Sequence, residues 1–428
     1  MSDLYPYQVD GQEFLAERET ALLADSMGLG KSAQAIAAAD RVGAKSILVI
    51  CPASACINWQ RELTRWLSEP KGVDTHVVSY DKARGSQRKA LMAKEWDVLI
   101  LDEAHFLKSW KAKRTRTVYG ALCDGEGGLI SRARYIWALS GTPAPNDVTE
   151  LWPMMRALFP ESLATEREVP MGLWDFRRRF TTGFETKYGY KVTGGRNLEE
   201  LKERLAPHML RRKTEEVLSD LPPIRYGEVV LTSEDLPAGL REAEAGFEGD
   251  VIREALAAGK LPGPSAAVAT STLRRLTGLA KVDPVIDLVT YELNEAEGKI
   301  VLFAHHREVI NQLNWGLAEF EPCLLHGGLP EDQRQKAVDS FQKNPRARVF
   351  IGQLTAAGTA ITLTAGASVL FVEYSWTPSD NQQAAKRCHR IGQTNSVLVR
   401  FVSLAGSLDE DIARVVRDKT ETLSKVIS

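Results

Sequence analysis

The stretch Asp25-Ser26-Met27-Gly28-Leu29-Gly30-Lys31-Ser32 constrains the fold of this chain more than any other. It joins the apolar run Ala21-Leu22-Leu23 to a helical segment beginning near Ser32. In a strand–loop–helix of this kind, glycines let backbone N–H groups approach phosphate oxygens, and the helix N-terminus adds its dipole. The lysine reaches the β- and γ-phosphates of a nucleotide, and the serine hydroxyl ligates Mg²⁺. Asp25 stands where the first glycine of the GxxxxGK spacing is usual, so the pattern needs support from elsewhere in the chain.

The next hundred residues supply that support. Ser46 to Cys51 (SILVIC), Val77 to Tyr80, Val98 to Asp102 (VLILD) and Tyr135 to Ser140 are short apolar runs of the kind expected of strands buried on both faces. They alternate with helical stretches, which predicts a parallel sheet covered by helices. Asp102-Glu103-Ala104-His105 ends one of these strands and would emerge at its carboxyl end beside the phosphate loop. One carboxylate there can hold Mg²⁺, and its neighbour can orient and deprotonate an attacking water. Ser140-Gly141-Thr142-Pro143 ends the next strand at the same sheet edge.

From about Glu150 the pattern turns helical. Trp152 to Phe159, Trp174 to Phe180 and Leu198 to Leu210 read as helices, and a further helical stretch from about 236 to 280 is interrupted by Gly259-Lys260-Leu261-Pro262-Gly263-Pro264. Strand–helix alternation resumes at Lys299 to Ala304 and continues with Arg348 to Gly352, Val369 to Glu373 and Val397 to Leu404. An amphipathic helix, Asp409 to Ile427, comes after them. Near it lies Gln383-Ala384-Ala385-Lys386-Arg387-Cys388-His389-Arg390-Ile391-Gly392-Gln393, which reads as a polar helix carrying two arginines three apart.

Composition narrows the rest. A chain of 428 residues with 44% hydrophobic and 26% charged residues suits a globular protein of two or three domains. No apolar run approaches the roughly 18 residues of a membrane helix, and no signal-peptide pattern opens the chain. The five cysteines form no CxxC pair, which argues against zinc or a disulfide framework and for a reducing compartment. A formal net charge of −2 leaves nucleic-acid binding to local basic surfaces. Candidates are Lys108, Lys111, Lys113, Arg114 and Arg116, then Arg177-Arg178-Arg179, Arg211-Arg212-Lys213 and Arg274-Arg275, each also explicable as solvated surface. Trp174 and Phe176 read as core.

The order Tyr7-Gln8, DSMGLGKS, VICPAS, DEAH, LSGTP, TAAGTAIT and RCHRIGQ resembles, over essentially the whole chain, the Swi/Snf family of helicase-related DNA-dependent ATPases. Asp102 to Lys108, Phe303-Ala304-His305-His306 and Leu354-Thr355-Ala356-Ala357-Gly358 make it most similar to the annealing-helicase branch. The resemblance implies an α/β fold of two RecA-like parallel-sheet lobes of the P-loop NTPase class, with helical insertions between them. The expected division is 1–150 for the ATP-binding lobe and 151–222 for its helical insertion. A connecting strand and second insertion take 223–280, the second lobe 281–406, and a terminal helix 407–428.

The resemblance also implies ATP and Mg²⁺ as cofactors. Gln8 would contact adenine, Met27, Gly28, Leu29, Gly30, Lys31 and Ser32 would cradle phosphate, and Gly358 would join them from the second lobe. Ser32 and Asp102 would hold metal, Glu103 would activate water, and Arg387 and Arg390 would act as arginine fingers on the closed lobes, each worth about 10³–10⁵ in rate in related systems. DNA would be gripped by Pro52, Ala53, Ser79 and Tyr80 on the first lobe and by His305, His306, Thr355 and Trp376 on the second. Contacts of that kind carry no sequence information and are salt-sensitive. Adjacent His305 and His306 on a strand would face opposite ways, which argues against a metal site. Ser26 replaces a usual acidic residue, Ser32 a threonine, Ala360 a glycine and Thr377 an asparagine.

The chain is therefore expected to be an ATP-driven translocase that remodels or reanneals double-stranded or forked DNA. It is expected to act as a monomer on DNA, without membrane or zinc, in a cytoplasmic, nucleoid-associated setting of a bacterial or viral host. Two alternatives remain: a strand-separating DNA or RNA helicase, and a nucleotide-gated DNA-binding module with little turnover.

Overall fold

The computed structural model describes residues 4–121, 123–124, 126–144, 147–165, 168–186, 189–218, 221–232, 238–257, 270–354 and 361–427. The chain divides into two compact units, Met1–Val217 and Leu218–Ser428. Each is built on a six-stranded sheet whose pairings are all parallel.

In the first unit the sheet strands are β1 (Thr20–Leu23), β2 (Ser46–Cys51), β3 (Asp74–Ser79), β4 (Trp96–Asp102) and β5 (Ala133–Leu139). A separate antiparallel hairpin, β6 (Thr181–Thr186) and β7 (Gly189–Gly195), precedes the short β8 (Met209–Leu210). The sheet order is β3-β2-β4-β5-β1-β8. Ile47 to Ile50 and Val98 to Leu101 are wholly buried without alternation, as expected where helices cover both faces. The helices that position the site are α1 (Pro6–Ala16), α2 (Lys31–Arg41) and α3 (Cys56–Trp66).

The second unit repeats the plan with β9 (Ile224–Leu231), β10 (Ile300–Ala304), β11 (Cys323–Leu325), β12 (Val349–Gln353), β13 (Ser368–Phe371) and β14 (Val397–Leu404), in the order β11-β12-β10-β13-β14-β9. The helix Leu408–Ile427 comes after β14. The parallel two-sheet architecture expected from the sequence is thus present, and each unit has its own buried core.

Some expectations need correction. The helix expected over Leu198 to Leu210 covers only Leu198–Leu205. Pro207, which has no N–H to donate and crowds the preceding turn, stops it. Met209–Leu210 then return to the first sheet beside β1, so the end of the expected insertion completes that sheet. The hairpin β6–β7 replaces what periodicity leaves unassigned, although its runs of Thr, Phe, Tyr and Val carry strand propensity. The stretch from 236 to 280 holds helices Ala238–Ala245, Phe247–Ala257 and Ser271–Ala280, and its Gly259–Pro264 loop signal lies outside the described residues. Among the described residues no helix is long and apolar enough to cross a membrane.

Candidate functional site

Sheet order brings three motifs to one edge. β5 lies between β4 and β1, so the carboxyl end of β5 sits between the loop after β1 and the acidic pair after β4. In parallel sheets, that edge is where ligands bind. Gly28 and Gly30 have φ of 89° and 72°, the left-handed region that glycine alone enters without strain. They turn the chain from β1 into α2, whose first residues are Lys31 and Ser32. The Lys31 ammonium folds back over the loop, donating to the carbonyls of Asp25 at 2.7 Å and Ser26 at 3.2 Å. A Cβ on Gly141 would lie 2.9 Å from Met27 Cγ and 3.5 Å from Lys31 Nζ. The Ser140–Pro143 turn therefore packs directly on the loop, and a side chain at Gly141 would have to displace that of Met27.

Asp25, the residue out of place in the glycine pattern, anchors the loop from beneath. It is fully buried. Its carboxylate accepts from Arg212 Nη2 at 2.6 Å, Arg212 Nε at 3.0 Å, the Arg212 backbone N–H at 3.1 Å and Gln34 Nε2 at 3.1 Å. Strand β8 delivers Arg212, since Ala24 N–H donates to Leu210 O and Ser26 N–H to Arg212 O. The guanidinium also donates to the Tyr7 carbonyl and to Gln34 Oε1. Arg212 was expected on a basic surface; here it is a partly buried tie between loop, α1 and α2. Removing one partner of a buried pair strands the other charge. Arg212→Ala is therefore expected to destabilise the first unit by about 3 kcal/mol or more and to weaken MgATP binding. Chemical denaturation and a nucleotide titration test this; an unchanged midpoint would remove the anchoring role.

Gln8, expected at adenine, is buried in α1 and donates to the Leu29 carbonyl at 3.1 Å, as does Tyr7 through its hydroxyl at 3.2 Å. Both side chains hold the phosphate loop by its backbone. Met27 and Leu29 are buried and set the loop's depth.

The acidic pair is held as closely. Asp102 ends β4, and its carboxylate accepts from the Trp59 indole N–H at 2.8 Å and the Glu103 N–H at 3.0 Å. Burial and then the charge of Glu103 raise its pKa, opposed by the Trp59 bond and by Lys31. Glu103 has φ 49° and ψ 52°, a left-handed conformation costing a side-chain-bearing residue about 1–3 kcal/mol and concentrated at functional positions. Its carboxylate pairs with His105 Nδ1 at 3.2 Å, and the same nitrogen meets Ser140 Oγ at 3.2 Å. His105 thus connects the acidic motif to the Ser140–Pro143 turn. Trp59 lies on α3, and a periodic apolar helix face gives no sign of such a role.

The expected first-unit DNA contacts divide. Ala53 is exposed and Pro52 buried at the β2–α3 turn. Ser79 is 4% exposed, and its hydroxyl caps the helix Tyr80–Arg84 by accepting from Lys82 N–H. Tyr80 is also 4% exposed, donates to the Asp102 carbonyl at 2.8 Å and stacks on Phe106. Both therefore support the site from inside, contrary to an exposed grip.

In the second unit His305 and His306 are not on a strand, because β10 ends at Ala304. They form the turn into the helix Arg307–Gly316, with ring centroids 4.9 Å apart, so the opposite-faces argument fails. Glu373, just past the neighbouring β13, accepts from the His305 and His306 N–H groups at 2.8 and 2.9 Å and pairs with His306 Nδ1 at 2.6 Å. Burial works to raise the Glu373 pKa, and His306 with the two amides outweighs it and holds the group ionised. Gln353 secures the turn from the other side by donating to His305 O at 3.0 Å. Burial, then Arg274 and His306, lower the His305 pKa against the opposing charge of Glu373. Trp376, expected at DNA, is 8% exposed and lies under the Arg274 guanidinium at 4.7 Å. It packs a wall of the unit's core. Thr355, Gly358 and Ala360 lie outside the described residues.

The arginine segment is also rearranged. Its helix is Pro378–Ala385, so Arg387 and Arg390 sit in the turns beyond. Gln393 fastens those turns by donating to the carbonyls of Thr364, Gly366 and Cys388. Arg387 is 2% exposed and its carbonyl accepts from Leu363 N–H. Arg390 is partly exposed, with Nε on Lys386 O at 3.0 Å and Nη1 on Thr362 Oγ1 at 3.3 Å.

The basic clusters are largely engaged within their own units. Lys108 pairs with Glu150, Arg178 with Asp175, Arg179 with Glu200 and Arg275 with Glu308. Phe176 is core as expected, whereas Trp174 is 52% exposed beside Arg177. The hard oxygens of Ser32 and Asp102, with Lys31 close enough to influence Asp102, are a donor set suited to magnesium and phosphate.

Residues 7–76 and 70–232 match the SNF2-related domain family, and residues 280–392 match the helicase conserved C-terminal domain. The chain is 30% identical over 451 residues to the DNA annealing helicase and endonuclease ZRANB3 of Mus musculus, covering 99% of this chain and 41% of that protein. It is 30% identical over 442 residues to SWI/SNF-related matrix-associated actin-dependent regulator of chromatin subfamily A-like protein 1 of Xenopus tropicalis, covering 99% of this chain and 45% of that protein. The chain thus spans less than half the length of these two relatives. The Sulfolobus solfataricus SWI2/SNF2 ATPase core in complex with dsDNA aligns with 25% identity and a TM-score of 0.43, over 100% of this chain and 93% of that one.

Proposed function

The chain belongs to the SNF2 family, and from that membership we propose that it is a DNA-dependent ATPase that translocates on double-stranded or forked DNA and remodels or reanneals it without cutting. The observation that carries this is the meeting at one sheet edge of the Gly28–Ser32 loop, the Asp102–Glu103 pair and the Ser140–Gly141 turn.

In this reading Gly28, Gly30 and the start of α2 receive the phosphates of ATP, and Lys31 exchanges its carbonyl partners for phosphate oxygens. Ser32 and Asp102 hold magnesium, which when bound neutralises phosphate charge. Glu103 orients and deprotonates the attacking water, while His105 and Ser140 fix its position. Arg390 supplies positive charge to the transition state from the second unit. Arg387, being buried, supports the turn that carries it. Ala53 on the first unit and the His305–His306 turn on the second meet the DNA backbone, as does Thr355, while Gly358 serves the nucleotide. We place the protein as a monomer on DNA in the cytoplasm, associated with the nucleoid.

ATP turnover should be stimulated most by duplex or forked DNA, less by single strands and least by RNA, and the protein should reanneal melted duplexes. Because backbone contacts release counterions, log affinity should fall linearly with log salt and be indifferent to sequence. Strongest stimulation by single strands or RNA would favour a strand-separating helicase. Undetectable turnover at saturating DNA would favour a nucleotide-gated clamp.

A further inference from the structure

None of the five cysteines is in a disulfide, and two of them face each other. Cys51 Sγ and Cys56 Sγ are 3.6 Å apart. Cys51 is the last residue of β2 and fully buried, its sulfur 3.9 Å from the Val78 carbonyl. Cys56 opens α3, is partly exposed, and its sulfur lies 3.8 Å from the Pro52 carbonyl. Between them run Pro52 and the single 3₁₀ turn Ala53–Ala55. One turn further along α3 is Trp59, whose indole holds the Asp102 carboxylate at 2.8 Å. The thiol pair therefore brackets a turn proposed to meet DNA and sits at the root of the helix that sets the acidic motif.

We propose that Cys51 and Cys56 form an oxidisable dithiol, closed by small disulfides of the glutathione class, which locks the β2–α3 turn and slows turnover through Trp59. The accessible Cys56 thiolate attacks one sulfur of the small disulfide, expelling one thiolate and leaving a mixed disulfide on Cys56. The Cys51 sulfur, losing its proton, then attacks Cys56 Sγ and expels the second thiolate. The protein pair is oxidised by two electrons, the small disulfide is reduced to two thiols, and two protons are transferred. To reach bonding distance the sulfurs must close by about 1.5 Å. Cys51 is fixed in the sheet, so the first turn of α3 makes that movement. A ring this short restricts the unfolded chain little, so the bond acts as a local lock more than as a stabilising staple. A bond of this kind fits a reducing compartment as a transient, sensing event.

The modification stands on geometry alone; its effect on turnover rests on the nucleotide-site reading above. The purified chain is incubated with oxidised glutathione, residual thiols are alkylated, and the digest is analysed by mass. The expected result is a Cys51–Cys56 cross-link with loss of two hydrogens. DNA-stimulated ATP turnover should fall by about tenfold or more, since displacement of a catalytic group by about an ångström carries penalties of that size, and dithiothreitol should restore it. Cys56→Ser should keep its basal turnover and ignore the oxidant, and Cys51→Ala should do the same if the first variant folds poorly. A stable glutathione adduct on Cys56 without the cross-link would overturn the dithiol. A complete cross-link with unchanged turnover would overturn the coupling through Trp59. Because the cross-link is read by mass, a chain that hydrolyses no ATP would sink the functional reading and leave the dithiol to be decided separately.

Discussion

Glu103→Gln is expected to lower DNA-stimulated ATP turnover by about 10²–10⁴-fold, the range that a positioned general base contributes, while nucleotide and DNA binding stay nearly intact. The substitution keeps the shape of the side chain and its hydrogen-bonding reach but removes the basic oxygen. It also leaves the backbone at φ 49°, a strain the surrounding structure already bears. Single-turnover hydrolysis with and without DNA, together with equilibrium binding of both ligands, separates the outcomes. Near-full hydrolysis by the variant would end the water-activating assignment. Loss of nucleotide binding in the same proportion would make Glu103 a structural residue of the loop's surroundings.

Arg390→Ala is expected to reduce hydrolysis by about 10³–10⁵-fold, as arginine fingers do in related phosphoryl transfer, and to change ATP affinity only slightly. The neighbouring arginine should behave differently. Arg387 is 2% exposed and lies in the core of its own unit, so Arg387→Ala should lower the stability of the second unit together with every activity. The sequence treats the two arginines alike, three apart in a polar stretch. Their separate surroundings come from where the helix Pro378–Ala385 stops. Thermal denaturation beside steady-state kinetics tells them apart; equal loss of binding and hydrolysis with Arg390→Ala would undermine the finger assignment.

How much is legible in the chain depends on the range over which the signals act. The buried strands announce themselves as continuous apolar runs, because parallel strands covered on both faces have no polar side to show. The loop, the acidic pair and the Ser140–Pro143 turn are legible because each is a short motif whose residues meet within a few positions of one another. Support arriving from far away leaves no such mark. Nothing near Asp25 names Arg212 as its partner, nothing in α3 marks Trp59 as the donor to Asp102, and Glu373 carries no local sign that it binds two histidine amides. Tyr80, Ser79 and Trp376 mislead in the same way. Each lies in a motif expected to meet DNA, yet tertiary packing turns its side chain inward. β10 stops at Ala304, where its apolar run ends, so both histidines lie in the turn past the strand and not on it.

The tie between Asp25 and Arg212 bears on the order in which this protein becomes competent. The two residues stand 187 positions apart, so the loop's buried charge lacks this counterion until the chain through Arg212, two residues past β8, has been made. A nascent chain emerging from a ribosome carries the entire glycine motif well before Arg212, which pairs with Asp25. Contacts of such long separation are slow to form because the intervening loop must be closed first. The buried anchor of the glycine loop is therefore completed only when the segment just past β8 packs against it.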